Sequence, residues 1–77
     1  MSSTVEKIRM ILATQMDIEA EKITEDTDIA EDLGADSLEI VELMMAVEEE
    51  FGITVDEELV KTFKTVKDVA GYIDSNL

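Results

Sequence analysis

The chain has 77 residues, with 20 Asp and Glu against 6 Lys and Arg and a formal net charge of −14 at pH 7. Such a charge repels nucleic acid and anionic membrane surfaces, and leaves proteins with basic patches as the natural partners. The absence of both cysteine and histidine removes disulfide, thiolate and zinc chemistry, and with them the imidazole on which a serine nucleophile usually depends.

So short a chain is expected to form one domain, residues 1–77, around a small core. No secretory hydrophobic segment and no apolar run long enough to span a bilayer is visible, so a soluble, cytoplasmic, monomeric protein without membrane insertion is expected. Ser3-Thr4-Val5-Glu6 fits a capping box, and Val5, Ile8, Ile11, Leu12 and Met16 recur at helical spacing, which predicts a first helix over residues 4–16. Residues 17–35 lack that period. Ile18, Ile23, Ile29 and Leu33 stand far apart among turn-forming Thr and Asp residues, which predicts a long loop pinned to the core by its apolar side chains. An EF-hand starting at Asp26 fails, because its sixth position is Glu31 rather than Gly and its twelfth is Ser37 rather than Glu. No dedicated metal site is expected; weak divalent-ion binding by clustered carboxylates stays open.

Leu33-Gly34-Ala35-Asp36-Ser37-Leu38 opens the longest periodic run. Asp36 with Glu39 reads as a capping box, and Gly34 gives the turn into the helix a permissive backbone. Ser37 then takes the first helical position, where its hydroxyl lies beside unpaired N–H groups at the positive end of the helix dipole. A phosphate esterified there would sit in a favourable field. The second helix is predicted over Ser37–Phe51, with Gly52 as the residue that ends it. Ile40, Leu43, Met44, Val47 and Phe51 form its core face. Leu38, Val41 and Met45 form a second apolar stripe, flanked by Glu42, Glu48 and Glu49. That stripe is either further core or an exposed docking strip, and the flanking glutamates favour the strip. From Ile23 through Val60 there is no Lys or Arg, against 14 Asp and Glu, so one face lacks charge compensation.

Ile53-Thr54-Val55 has no evident pairing partner and is read as extended loop, and Asp56 to Lys61 as a short helix. Thr65-Val66-Lys67-Asp68 is a third capping box, followed by the stripe Val66, Val69, Ala70 and Ile73 in a last helix ending near Ser75. Gly71 inside it costs about 1 kcal/mol relative to alanine, for which close helix packing is the expected reason. The fold class is therefore all-α: a small four-helix bundle of three longer helices and a short third, with a long loop between the first two.

LGADSL and the following VELMMAVEEEF resemble the acyl carrier proteins, and the resemblance covers nearly the whole chain. It implies that Ser37 is the attachment site of 4′-phosphopantetheine, transferred from coenzyme A by a phosphopantetheinyl transferase. It makes the second helix the recognition helix, with Asp36, Leu38, Val41, Glu42, Met45, Glu48 and Glu49 at the partner-binding positions. It further implies an acyl pocket lined by Ile29, Ile40, Val47, Phe63 and Val69, narrowed by the bulk of Phe63. The chain departs from the family in lacking a proline near Asp56, in the larger Val60, and in Lys61, where an acidic residue is common.

The implied function is to hold growing fatty acyl chains as thioesters for the enzymes of fatty-acid biosynthesis. Other cargoes (polyketide, aminoacyl or another lipid) and an unmodified acidic interaction module are the alternatives. Asp36 before the serine favours acyl over peptidyl carriers, which more often read LGGxS. Enzyme activity is not expected. A GDSL-type hydrolase would need Gly where Ala35 stands and a histidine that is absent, and three scattered glycines make no phosphate cradle.

Overall fold

In the computed structural model, which describes residues 3–77, the chain runs through α1 (Ser3–Met16), a 3₁₀ turn (Ala20–Lys22), α2 (Ser37–Phe51), α3 (Glu57–Val60) and α4 (Val66–Ser75). The described residues contain no named strand, only an isolated antiparallel bridge between Asp28 and Thr65. The core draws Ile8 and Leu12 from α1, Ile23 from the loop, Leu43 and Val47 from α2, and Val66, Val69 and Ile73 from α4, all fully buried.

α1 begins at Ser3, so Ser3 is helical and not the cap that the Ser3–Glu6 pattern implied; the cap position falls outside the described residues. Glu6 instead holds Arg9 at 2.7 Å. The same guanidinium donates from Nη2 to the carbonyl of Ala20 and from Nε to that of Ile23, both at 2.6 Å. A cation that reads as ordinary helix surface thus staples the 3₁₀ turn to α1. Thr4 donates its hydroxyl to Asp74 Oδ1 at 2.5 Å, joining α1 to α4. The helix ends at Asp17, whose φ of 54° is a left-handed conformation that a short polar side chain tolerates.

The long loop is pinned as expected. Ile23 and Ile29 are buried, with Ile18 and Leu33 packed against the core. Its backbone is also sewn to the start of α4. Ile29 N–H donates to Lys64 O at 2.9 Å, Val66 N–H to Thr27 O at 3.2 Å, and Lys67 N–H to Glu25 O at 2.9 Å. The Lys67 ammonium lies 3.0 Å from Asp26. That hydrogen bond, and then the carboxylate's charge, raise its pKa above the ordinary 10.5.

α4 starts with the expected box. Thr65 Oγ1 accepts from Asp68 N–H at 3.3 Å, and Asp68 Oδ2 accepts from the N–H groups of Thr65 at 3.1 Å and Lys64 at 3.0 Å. Those two donors, Thr65 first, hold the Asp68 carboxyl below its ordinary pKa of 3.8. Close packing does not account for Gly71: a Cβ there would meet no atom within 4 Å, and nothing in the structure explains the glycine.

Candidate functional site

The turn that delivers Ser37 is built before the helix starts. Gly34 takes a left-handed φ of 70°, which costs glycine little. Ala35 is buried and donates its N–H to Ile29 O at 3.3 Å, fixing the turn to the loop. Asp36 then sits extended (φ −86°, ψ 178°), and its Oδ1 accepts from Glu39 N–H at 2.9 Å. Glu39 Oε1 accepts in return from Asp36 N–H at 3.2 Å, completing the box. Ser37 is the first residue of α2 and is exposed. Among the described residues the N–H groups of Ser37 and Leu38 find no partner, so two donors at the helix mouth remain open beside its hydroxyl.

The second stripe of α2 faces solvent. Leu38 is 66 % exposed, Val41 49 % and Met45 59 %, so the choice between core and surface resolves to surface. Asp36, Glu42 and Glu49 are exposed around it. Glu48 differs from the other glutamates. It is half-buried, and its Oε2 accepts from Val55 N–H at 2.8 Å, tying the segment after α2 back to the helix.

Between α2 and α3 lies a cleft of about 840 Å³ with Ser37 on its lining. Ile40 and Phe63, two of the five residues expected around an acyl pocket, line it. Ile29, Val47 and Val69 do not. They lie in the core at 2 %, 0 % and 1 % exposure. Met44, Val55 and Val60 form the walls in their place. The bulk of Phe63 does stand in a wall. Its ring lies 5.5 Å from that of Tyr72, tilted by 57°, and the Tyr72 hydroxyl donates to Thr54 O at 3.2 Å. α3 forms without a proline, because the Asp56 carboxylate caps it by accepting from Glu58 N–H at 2.9 Å. A shallower groove between α1 and α2, lined by residues such as Met10 and Ala46, shares no residue with the cleft.

Among the described residues no group of three or more acidic, His or Cys side chains could hold a metal ion, and no helix is long and apolar enough to cross a membrane. Residues 6–73 match the family described as "Phosphopantetheine attachment site". Over 76 residues the chain is 45 % identical to the acyl carrier protein of Zymomonas mobilis subsp. mobilis, covering 99 % of this chain and 97 % of that one. It is 43 % identical to the acyl carrier protein of Thermosynechococcus vestitus, covering 99 % and 94 %. A solved structure of the acyl carrier protein from Enterococcus faecalis superposes with a TM-score of 0.81 at 34 % identity, covering 96 % of this chain and 94 % of that one. The chain belongs to the acyl carrier protein family, and is accordingly a carrier protein and not an enzyme.

Proposed function

We propose that this chain bears a 4′-phosphopantetheine arm on Ser37 Oγ and carries growing fatty acyl groups on it as thioesters, delivering them to the enzymes of fatty-acid biosynthesis. The observation that carries this reading is the open Ser37 hydroxyl at the mouth of α2, with two unpartnered N–H groups beside it and the cleft adjoining. The residues present suit the group. A phosphodiester on Ser37 would meet the helix dipole and those N–H donors, and an acyl chain folded back into the cleft would be favoured by ~0.8 kcal/mol for each methylene removed from water. Ile40, Met44, Val55, Val60 and Phe63 would enclose it. Coenzyme A is the donor: the Ser37 oxygen bonds to the phosphorus next to pantetheine, the pyrophosphate bond breaks, adenosine 3′,5′-bisphosphate leaves, and the Ser37 proton passes to a base of the phosphopantetheinyl transferase, the chain itself having no histidine to take it.

Leu38, Val41 and Met45 are the apolar anchors for basic partner enzymes, and Asp36, Glu42, Glu48 and Glu49 supply the carboxylates around them. The protein acts as a single domain and as a monomer in the cytoplasm, its charge of −14 opposing self-association. Incubation with coenzyme A and a transferase should add the mass of one phosphopantetheine, and Ser37→Ala should abolish the gain; an unchanged mass for the parent chain overturns the carrier reading. Glu42→Lys with Glu49→Lys should lower turnover by fatty-acid-synthesis enzymes at least tenfold while helical circular dichroism is preserved. Undiminished turnover would remove the docking strip from the account. Position 48 is left alone in that test, because its carboxylate also holds Val55.

A further inference from the structure

Among the described residues Lys61 is the one basic residue on the lining of the α2–α3 cleft, which it shares with Ser37 and with two acidic residues, Glu48 and Glu57. The neighbouring lysines are paired: Lys64 lies 3.9 Å from Asp28 and Lys67 lies 3.0 Å from Asp26. Lys61 has no carboxylate within ion-pair distance among the described residues, although Glu57 stands one helical turn before it. Its backbone is fixed all the same. It closes α3 with φ −68° and ψ −17°, and its N–H donates to Leu59 O. An exposed lysine in no ion pair among the described residues thus stands on the lining of a cleft whose other residues are apolar, neutral polar (Ser37, Thr54) or acidic (Glu48, Glu57).

We propose that Lys61 is an anion-binding residue of this cleft, pairing with a negative charge that arrives attached to Ser37; the inference rests on the carrier reading. An anion entering the cleft meets Glu48 and Glu57, and without a cation on the wall both repel it. Glu48 is the lesser obstacle, since its carboxylate already accepts the Val55 N–H at 2.8 Å. An ammonium suits either of two sources, because it is a compact point charge with three donors and no fixed plane. One source is the phosphodiester at the root of the arm. The other is the free carboxylate of a dicarboxylic acyl half-thioester.

Amine labelling separates them. Apo protein and protein loaded from coenzyme A, butyryl-coenzyme A and malonyl-coenzyme A are treated with a water-soluble acylating reagent, and each lysine is followed by peptide mass. Lys22, which is exposed and in no ion pair among the described residues, is the internal standard. Lys61 should label at least threefold more slowly in a loaded form than in the apo form. The protection should vanish in about 1 M salt, where the screening length falls to ~3 Å.

Protection in every loaded form assigns the phosphodiester, and protection with malonyl alone assigns the cargo carboxylate. Lys61→Gln should abolish the extra rise in Tm that the protecting group confers, and Lys61→Arg should retain it. No protection in any loaded form, protection that survives high salt as mere steric cover, or an undiminished Tm rise in Lys61→Gln overturns the proposal. Loading is checked first by intact mass. A chain that cannot be loaded overturns the carrier reading and this inference with it, whereas a loaded chain with an unprotected Lys61 overturns this inference alone.

Discussion

The loop before α2 and the segment after it are held to the bundle by different means. Residues 25–29 meet the start of α4 through three backbone hydrogen bonds of 2.9–3.2 Å, with Lys67 bound to Asp26 at 3.0 Å and Ile29 buried beneath. Residues 53–63 meet α2 through the Val55 N–H on the Glu48 carboxylate, and α4 through the Tyr72 hydroxyl on Thr54 O. Among the described residues no backbone-to-backbone hydrogen bond joins that segment to α2. The side of the molecule that positions Ser37 is locked by main chain. The side that forms the outer wall of the cleft is held by side chains: two hydrogen bonds, the buried Val55, and the half-buried Ile53, Val60 and Phe63. Local opening free energies differ across a fold in this way, and the wall of the proposed cargo cleft belongs at the low end.

Core truncation gives the largest expected contrast. Ile73→Ala removes a side chain with no exposure and should lower the free energy of urea unfolding by about 2–5 kcal/mol. Val60→Ala, at a half-buried wall position, should cost about 1 kcal/mol, since part of that side chain is already wet and the site can collapse. Equal losses would mean that the wall is as firmly built as the core.

Release of the wall is a smaller effect and a more local one. Glu48→Ala should speed hydrogen exchange at the Val55 amide severalfold and lower global stability by about 1 kcal/mol, whereas Glu48→Gln, which keeps an acceptor, should restore most of the protection. Unchanged exchange at Val55 would show that the tie is not what holds the segment.

The smallest effect is a pH dependence on the locked side. The Asp68 pKa is lowered in the fold by the N–H donors of Thr65 and then Lys64. Its stabilisation is therefore present above its ordinary value of 3.8 and is lost as pH falls through the lower folded value. The Tm difference between the parent chain and Asp68→Asn should be constant near neutrality and shrink below pH 3.8. A difference that grows toward acid would reverse the assignment.

The parts of the fold legible in the sequence are those with a local cause. The start of α2 follows from Asp36 and Glu39 and that of α4 from Thr65 and Asp68, because such a cap is a bond between residues three apart, and the end of α2 follows from Gly52, which takes the left-handed backbone that closes a helix. The outward stripe of Leu38, Val41 and Met45 was readable because its glutamate neighbours leave it no core to join. What escaped is long-range. The seam between Glu25–Ile29 and Lys64–Lys67 is made by backbone groups, which carry no side-chain signature. Arg9 could not be foreseen as a staple, since its partners are carbonyls of a turn over ten residues away. The lining of the cleft is not legible for a similar reason: angular position on a helix separates inside from outside, but does not tell which buried residue also reaches the cleft, as Met44 does and Val47 does not.

Tyr72 is the only tyrosine in a chain without tryptophan, and it leans on Phe63, which lines the cleft. All of the protein's near-ultraviolet emission above that of phenylalanine therefore originates one ring away from the proposed cargo space. Filling that space would alter the brightness or anisotropy of a single intrinsic fluorophore. Cargo entry and exit could then be timed in a stopped-flow instrument with no dye attached.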